Sequence, residues 1–485
     1  MSIQRREFLS LAAAAAGGMA LSGRTAFAKE TRDFRIAVIG VNGRGWSHLD
    51  ALAPNVVAIC DVDSRVAESQ AARFKKHHGR QLDLVVDYRD LLQRGDIDAV
   101  TVATPNHTHS LIGIAAIQAG KHLYVEKPVS HNVWEGRQLV AKAEQSGLVC
   151  QCGTQSRSSE ALQQAVAWVR GGGLGKIQYA LGTCYKPRPS IGRLDQPLVI
   201  PNTIDYDLWC GPAEKADIYR PRLHYDWHWD FNTGAGDTGN QGIHQMDVAR
   251  WFLGYDSLAP RTISFGGRLG YDDAGNTPNS QVVFHDYPDA PLIFETRGLP
   301  RCKAAQSSWD RSMDKYRGSQ IGVIVQCEDG HVYADSSYNK ATAYDRDGKI
   351  VKEWHGGGNH FKNWLNAAVA GDASGLNAPV RQGHLSSSLC HVGNVSHRVG
   401  QPAVAGDISA SIAGNDLLSQ SFDRMAAHLR ANDVDIDSQP GALVAGSWVA
   451  VDPETEQFVG NPAAAALWKR AGRDDFRVPD VLASV

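Results

Sequence analysis

Residues 34–45 read Phe34-Arg35-Ile36-Ala37-Val38-Ile39-Gly40-Val41-Asn42-Gly43-Arg44-Gly45. An apolar run of strand length breaks into three spaced glycines, and a helical pattern follows. A second apolar run, Val56-Val57-Ala58-Ile59-Cys60, ends in Asp61, 21 residues after Gly40. Strand, glycine turn, helix, strand and acid, in that order, are what a dinucleotide demands. Gly40, Gly43 and Gly45 let the backbone turn tightly and approach a pyrophosphate, whose charge rests on the helix N-terminus. Asn42 and Arg44 belong to the same phosphate turn. An acid about twenty residues on binds the ribose hydroxyls and repels a 2′-phosphate, which favours NAD over NADP. The order is GxxGxG rather than the commoner GxGxxG, so the flanking strands and Asp61 carry the assignment.

Outward from this stretch, strands are predicted at 35–40, 56–61, 98–103, 122–126 and 148–152. Helices alternate with them at 45–53, 64–77, 88–93, 109–119 and 134–146. Such alternation means a doubly wound parallel sheet with crossover helices, an α/β domain expected over residues 32–155. Beyond Gln155 the pattern changes. A helix at 159–171 leads into a strand at 176–185, and further strand signals follow at 261–268, 280–286, 291–297, 320–328 and 331–335. These predict an α+β domain over residues 156–400 with one open, largely antiparallel sheet. Amphipathic helices are predicted at 359–370 and 384–398. Residues 401–485 hold strand and helix signals without a clear motif and are expected to pack on both domains.

The N-terminus carries a different message. Arg5-Arg6 precede Phe8 and Leu9, an Ala-rich core and Ala26-Phe27-Ala28. This is the pattern of a twin-arginine export signal over residues 1–28, which predicts a periplasmic or otherwise exported protein. The apolar core, Phe8 to Leu21, is too short and too rich in Ala and Gly to span a bilayer, so no stable membrane insertion is expected. A net charge of −3 with both signs interspersed and no long basic run argues against a nucleic-acid partner. The eight cysteines are scattered apart from Cys150 and Cys152, and no second pair completes a zinc site. They read as buried small apolar residues.

Candidate chemistry gathers at two places. Glu126-Lys127-Pro128 follows the strand at 122–126 and puts Lys127 at the carboxyl edge of the sheet. A lysine there can take the proton of a hydroxyl under oxidation once desolvation lowers its pKa, or it can be a surface turn residue. The second place is His224-Tyr225-Asp226-Trp227-His228-Trp229-Asp230-Phe231, followed by a glycine-rich turn and a helix predicted over 240–252. There Asn240 and His244 are four apart and share a face. His244 is either an acid–base group or a packing histidine bonded to Asp247 or a carbonyl. A metal reading of His224, His228, His244 and Asp247 matches no standard spacing. Of His107 and His109, one is a candidate for the cofactor ribose. The tryptophans clustered at residues 209–251 are read mainly as core, with sugar stacking as the alternative.

These residues resemble the glucose–fructose oxidoreductase, inositol dehydrogenase and MocA family. The likeness covers residues 33–400 and rests on IAVIGVNGRG, ICDVD, TPNHTHSLIGIAAIQAGKHLYVEKP, CGTQSRSS, DYDLWCGP, GNQGIHQMDVARW and GGGNHFKNWL. It implies an NAD(P) cofactor, sugar or polyol substrates and an open sheet that often joins subunits into a homo-oligomer. It also implies that Lys127 and His244 are catalytic, that Asp61 binds ribose, and that Thr104, Asn106 and Glu126 lie in the nicotinamide-side loops, where His109 and Gln155 are also placed. One departure stands out: dehydrogenases of the family usually carry Asp where this chain has Asn240. An amide neither accepts a proton nor supplies charge to His244, so Tyr225, Asp226 or His228 is expected to supply the missing group. The pattern is also similar to exported relatives resembling NAD-dependent glycosidases. An exported nicotinamide enzyme has no soluble NAD pool to exchange with, so its cofactor would be held tightly and regenerated within each cycle. Three functions fit: net oxidation of a sugar, a redox-neutral glycoside hydrolase or lyase acting through transient C3 oxidation, and non-catalytic sugar binding.

Overall fold

A computed structural model describes residues 33–484 apart from Asp310 and Pro440. The export signal read in residues 1–28 lies outside the described residues. Among those described, no helix is long and apolar enough to cross a membrane.

The first sheet has six parallel strands: β1 Ile36–Ile39, β2 Val56–Cys60, β3 Asp83–Val85, β4 Ala99–Val102, β5 His122–Val125 and β6 Cys150–Cys152, in the order β3-β2-β1-β4-β5-β6. Strands β1 and β4 are buried along their whole length, as the interior of a parallel sheet covered on both faces must be. The crossovers are α1 Arg44–Ala51, α2 Ser64–His78, α3 Tyr88–Leu92, α4 His109–Gln118 and α5 Val133–Ser146. Their ends follow local chemistry. Asp63 accepts the Arg65 N–H at 3.1 Å to start α2, and Gly79 ends it with φ +70. Helix α4, HSLIGIAAIQ, is apolar and buried almost all round because other elements cover both its sides.

The second sheet runs β14-β13-β12-β11-β7-β10-β9-β8-β16-β15. Its strands are β7 Ile177–Tyr185, β8 Arg261–Gly267, β9 Ser280–His285, β10 Leu292–Arg297, β11 Ile321–Cys327, β12 Gly330–Asp335, β13 Lys340–Asp345, β14 Ile350–His355, β15 Gln401–Ala403 and β16 Leu443–Ala445. Along this path only the β7–β10 pair is parallel, so the sheet is largely antiparallel as predicted. Helices α6 Glu160–Arg170, α8 Ile243–Leu253 and α10 Val380–Arg398 share one core with one face of it. Helices α11 Ala405–Ile412 and α12 Asp416–Arg430 share a second core with residues of β7–β10 and β16. Between them in the chain lie the short α7 Tyr206–Cys210 and α9 His360–Ala370, whose Trp364 packs into the core of the first sheet.

The predicted helix at 240–252 departs from expectation at its start. Thr238–Gly242 winds as a π-turn, and α8 begins only at Ile243. Gly242 seats this turn on the second sheet, where a Cβ would meet the Phe294 ring at 2.4 Å. The final residues form an arm on the first domain. Phe476, Val478 and Val481 are buried in the core of the first sheet, and Gln138 Oε1 accepts the Val481 and Leu482 amides at 2.7 and 3.0 Å.

Candidate active site

At the carboxyl edge of the first sheet lies a cavity of about 590 Å³. Ligands bind parallel sheets at this edge. One end is made by the glycine turn after β1. Gly40 has φ +80, and a Cβ there would sit 2.7 Å from the Thr104 nitrogen, so only glycine allows β1 and β4 to close so tightly. Gly45 does not line the cavity; its missing Cβ would lie 2.1 Å from the Gly40 oxygen. Without a Cβ it lets α1 pack on the turn. No side chain caps the first turn of α1; its Gly45 and Trp46 amides donate to the Asn42 and Gly43 carbonyls at 2.9 and 3.2 Å, and the positive end of the helix dipole favours an anion there. Gly40, Asn42, Gly43 and Arg44 line this end.

Asp61, at the end of β2, also lines it. Its Oδ2 accepts the Val41 N–H at 2.9 Å and its Oδ1 the Asp63 N–H at 3.0 Å. Burial pushes its pKa up, against those two amides. His224 stands at the same end, its Nε2 3.1 Å from Asp63 Oδ2.

The loops after β4 and β5 form the floor. His109 ties them together, with Nδ1 2.6 Å from the Pro128 carbonyl and Nε2 2.7 Å from the Thr104 carbonyl. His107 is turned away from the cavity toward the Trp209 and Thr233 carbonyls, so His109 is the member of the pair at the site. Asn106 is buried, and its Nδ2 finds no partner among the described residues. That orphan donor, the uncapped helix, the Gly40 cradle and Asp61 all fit a dinucleotide. Thr104 and Gln155 complete the lining on this side.

Glu126 is buried and ion-paired to Arg44, Nε to Oε1 at 2.7 Å, with His48 Nε2 3.1 Å from the same oxygen. Burial opposes its ionisation, yet the Arg44 guanidinium and His48 hold its carboxyl well below the usual range. Lys127 then stands beside a fixed negative charge. Its Nζ donates to the Asn240 carbonyl at 2.6 Å, across the boundary between the two domains. Burial lowers the Lys127 pKa; Glu126 opposes that and Arg44 adds to it. A π-turn beside a cavity is a common functional device, and here it offers Lys127 a backbone acceptor.

His244 faces the same cavity from α8 and is 8 % exposed. Its Nδ1 has no partner among the described residues, so neither packing alternative holds: Asp247 turns to Arg157 instead. Burial first, then the Lys127 charge, pushes its pKa down to about 3. It is therefore a neutral imidazole at pH 7. His228 and Tyr225 line the cavity from above, and His228 Nδ1 donates to the Tyr225 carbonyl. Tyr225 has φ +66 and is half exposed. Asp226 is not at the site; it is buried and paired with Arg222 at 2.7 Å, so it does not replace the missing acid. A carboxylate the sequence reading missed lies one turn before Asn240. Asp237 is buried, holds Arg188 by two bonds of 2.7 and 2.6 Å, and accepts from Asn240 Nδ2 at 3.4 Å. Arg188 in turn donates to the Tyr225 hydroxyl at 3.2 Å. Of the clustered tryptophans, Trp209 and Trp227 line the cavity.

Four buried histidines, His107, His244, His285 and His391, are pushed to about 3 by burial. Below the ordinary value of 6.5 the unfolded chain takes up protons that the folded one refuses. Stability is thus expected to fall as pH drops from about 6.5 toward 3, each histidine adding up to about 1.4 kcal/mol per pH unit. Denaturant midpoints measured from pH 7 to pH 4 check this; a flat profile would refute it.

The fold and this cavity define a two-domain chain whose first domain is a Rossmann domain of the NAD-binding type. Residues 34–154 match the GFO_IDH_MocA model, described as "Oxidoreductase family, NAD-binding Rossmann fold", and residues 190–295 match its "C-terminal alpha/beta domain" model. The chain carries both domains of the Gfo/Idh/MocA oxidoreductase family. It is 30% identical over 187 residues to 4-carboxy-2-hydroxymuconate-6-semialdehyde dehydrogenase of Sphingobium sp. (38% of this chain, 58% of the relative). It is 30% identical over 177 residues to a glycosyl hydrolase family 109 protein of Shewanella sp. (31% and 39%). It is 25% identical over 266 residues to levoglucosan dehydrogenase of Pseudarthrobacter phenanthrenivorans (52% and 60%). The matches thus span 39% to 60% of these curated relatives. The fold is shared with WlbA dehydrogenase from Bordetella pertussis, solved with NADH and UDP-GlcNAcA: TM-score 0.54 at 18% identity, over 74% of this chain and 95% of that one.

Proposed function

We propose that this chain is an exported NAD-dependent oxidoreductase that oxidises a ring hydroxyl of a sugar, polyol or glycoside while holding its cofactor captive. The observation that carries this reading is the meeting of Lys127 and His244 at one end of a cavity whose other end holds Asp61. Gly40, Asn42, Gly43, Arg44 and the N-terminus of α1 would hold the pyrophosphate of NAD, Asp61 a ribose, and Thr104, Asn106, His109, Glu126 and Gln155 the nicotinamide side. Bound NAD supplies the acceptor for the hydrogen and electron pair that leave the carbinol carbon.

The chain's residues handle the proton. The Lys127 amine, its pKa lowered by burial, takes the proton of the reacting hydroxyl. The Asn240 carbonyl aims the amine. With no carboxylate behind it, His244 is a weaker base than its counterpart in an Asp-backed pair, which leaves the hydroxyl proton to Lys127. His244 and His228, both neutral, are suited to hydrogen-bonding or to exchanging a proton at a neighbouring carbon. Tyr225, pinned by Arg188, positions the ring from the solvent side.

The likeness to a glycosyl hydrolase family 109 protein favours a second reading, a redox-neutral glycosidase or lyase. There His244 or His228 would remove a C2 proton made acidic by transient oxidation at C3, outside the usual carboxylate-pair scheme. One experiment addresses captivity and reaction type together. The protein is purified without added cofactor, denatured, and its supernatant assayed for NAD(H) and NADP(H). Near-stoichiometric NAD is expected, and an empty protein would refute the captive cofactor. Free sugar released without net NADH would select the second reading.

A further inference from the structure

The second domain reaches onto the first beside Asp61, where the chain leaves β2. The Thr203 carbonyl accepts the Ser64 N–H at 2.9 Å and the Ser64 hydroxyl at 3.2 Å, and the Asp205 N–H donates to the Val62 carbonyl at 2.9 Å. Between these bonds Asp63 and Ile204 pair as a single antiparallel bridge. The same segment is held again farther on. His107 Nε2 is 2.8 Å from the Trp209 carbonyl, and Arg473 of the C-terminal arm donates to the Asp207 carbonyl at 3.1 Å and pairs with its carboxylate. His224 adds a side-chain tie. Asp63 is buried, its Oδ1 starts α2, and its Oδ2 accepts from His224 Nε2 at 3.1 Å, which fixes the imidazole proton on that nitrogen.

These ties span the cofactor crevice. In the first sheet β1 lies between β2 and β4. A segment bonded both to the loop after β2 and to His107, in the loop after β4, therefore passes from one side of the β1 glycine turn to the other. Leu208, Trp209 and His224 from the second domain line the first cavity together with Asp61, Val62 and Val86 from the first. Val86 is apolar yet 44 % exposed. With the pyrophosphate on the glycine turn and a ribose on Asp61, the adenine of a dinucleotide extends past the end of β2, to Val62 and Val86. A purine has two flat faces of low polarity, which suits that lining.

We propose that residues 201–211 and His224 form a clasp over the adenosine half of NAD, so that the cofactor leaves only when the clasp opens. The proposal rests on the reading of the first cavity as an NAD site, and it assigns the captivity of the cofactor to named bonds. The ties to Val62, Asp63, Ser64 and His107 must part together for the segment to lift, a local opening of the kind that limits release of enclosed ligands. Contacts of this sort act mainly on the release rate.

The test is the rate of cofactor release. Full-length protein carrying NADH is mixed with excess NAD, and the fall in bound-nicotinamide fluorescence gives that rate. His224→Ala should speed release about tenfold or more, as loss of a hydrogen bond to a buried carboxylate would. His224→Gln keeps a donor for Asp63 and should speed it less. Reduced nicotinamide mononucleotide lacks the adenosine half, so its affinity should be the same for the parent and both variants, which also shows that they are folded. A parent that binds no NADH overturns the NAD reading itself. Parental release from His224→Ala, with NADH binding intact, overturns the clasp alone. So does a loss of mononucleotide affinity as large as that of NADH, which would place His224 at the nicotinamide end.

Discussion

Lys127→Met is expected to lower kcat/KM on the sugar this enzyme turns over by about 10²- to 10⁴-fold, the range a positioned acid–base group supplies. Retained NAD should stay the same, because the groups proposed to hold its pyrophosphate and ribose lie on the glycine turn after β1, the start of α1 and the end of β2. Methionine keeps the length and apolar stem of lysine and removes the amine that bonds to Asn240. Turnover and NAD content measured on the same preparation separate catalysis from cofactor loading. Unchanged turnover would remove Lys127 from the mechanism, and lost NAD would move it to the binding site. The assignment predicts more than a weak active site: residual binding of sugar to the NAD-loaded variant should persist.

The largest stability effect is expected at Arg157. Its guanidinium meets Asp247 at 2.9 and 3.0 Å, both side chains are buried, and Ser386 Oγ adds a third bond to the carboxylate at 2.6 Å. Arg157→Met leaves the buried Asp247 carboxylate with only the longer contact to Arg250 at 3.9 Å and should cost about 3 kcal/mol. Adding Asp247→Leu to Arg157→Met should recover only part of that loss, because the buried Arg250 guanidinium, 3.9 Å from Asp247, then loses its carboxylate. Chemical denaturation of the two variants provides the comparison. A single variant as stable as the parent would show that the site relaxes around Asp247. The pair matters to the cavity because Asp247 lies one turn beyond His244 on α8, so the ion pair fixes the helix that presents the imidazole.

Much of this was legible in the residues, for reasons that differ by element. The crossovers of the first domain follow from long apolar runs, glycine turns and capping residues, all local signals. Strand β3 escaped notice because it is three residues long and its Asp83 and Leu84 are exposed. Strand β14 is the sheet edge beyond β13, and there Ile350 and Val351 face solvent and the alternation of a half-buried strand fades. Helix α12 did carry a signal: Leu418, Phe422, Met425, Ala426 and Leu429 recur at helical spacing and all are buried. At the site, residue types and spacing brought Lys127, Asn240, His244, Tyr225 and His228 to one cavity. What they could not reveal was pairing at a distance. Asp226 and Asp237 are both acids in the same polar segment. Asp226 takes Arg222 four residues before it, whereas only tertiary structure sends Asp237 to Arg188, 49 residues away.

The arm formed by the last residues has a consequence for the order of events in the cell. Strand β1 is made early, but Phe476, Val478 and Val481, which share its core, are made only after every strand of the second sheet. Contacts between such distant parts of a chain form slowly. The first domain therefore finishes its hydrophobic interior after the second has been made, and a copy cut short before Phe476 would leave the dinucleotide-binding half without part of its own core.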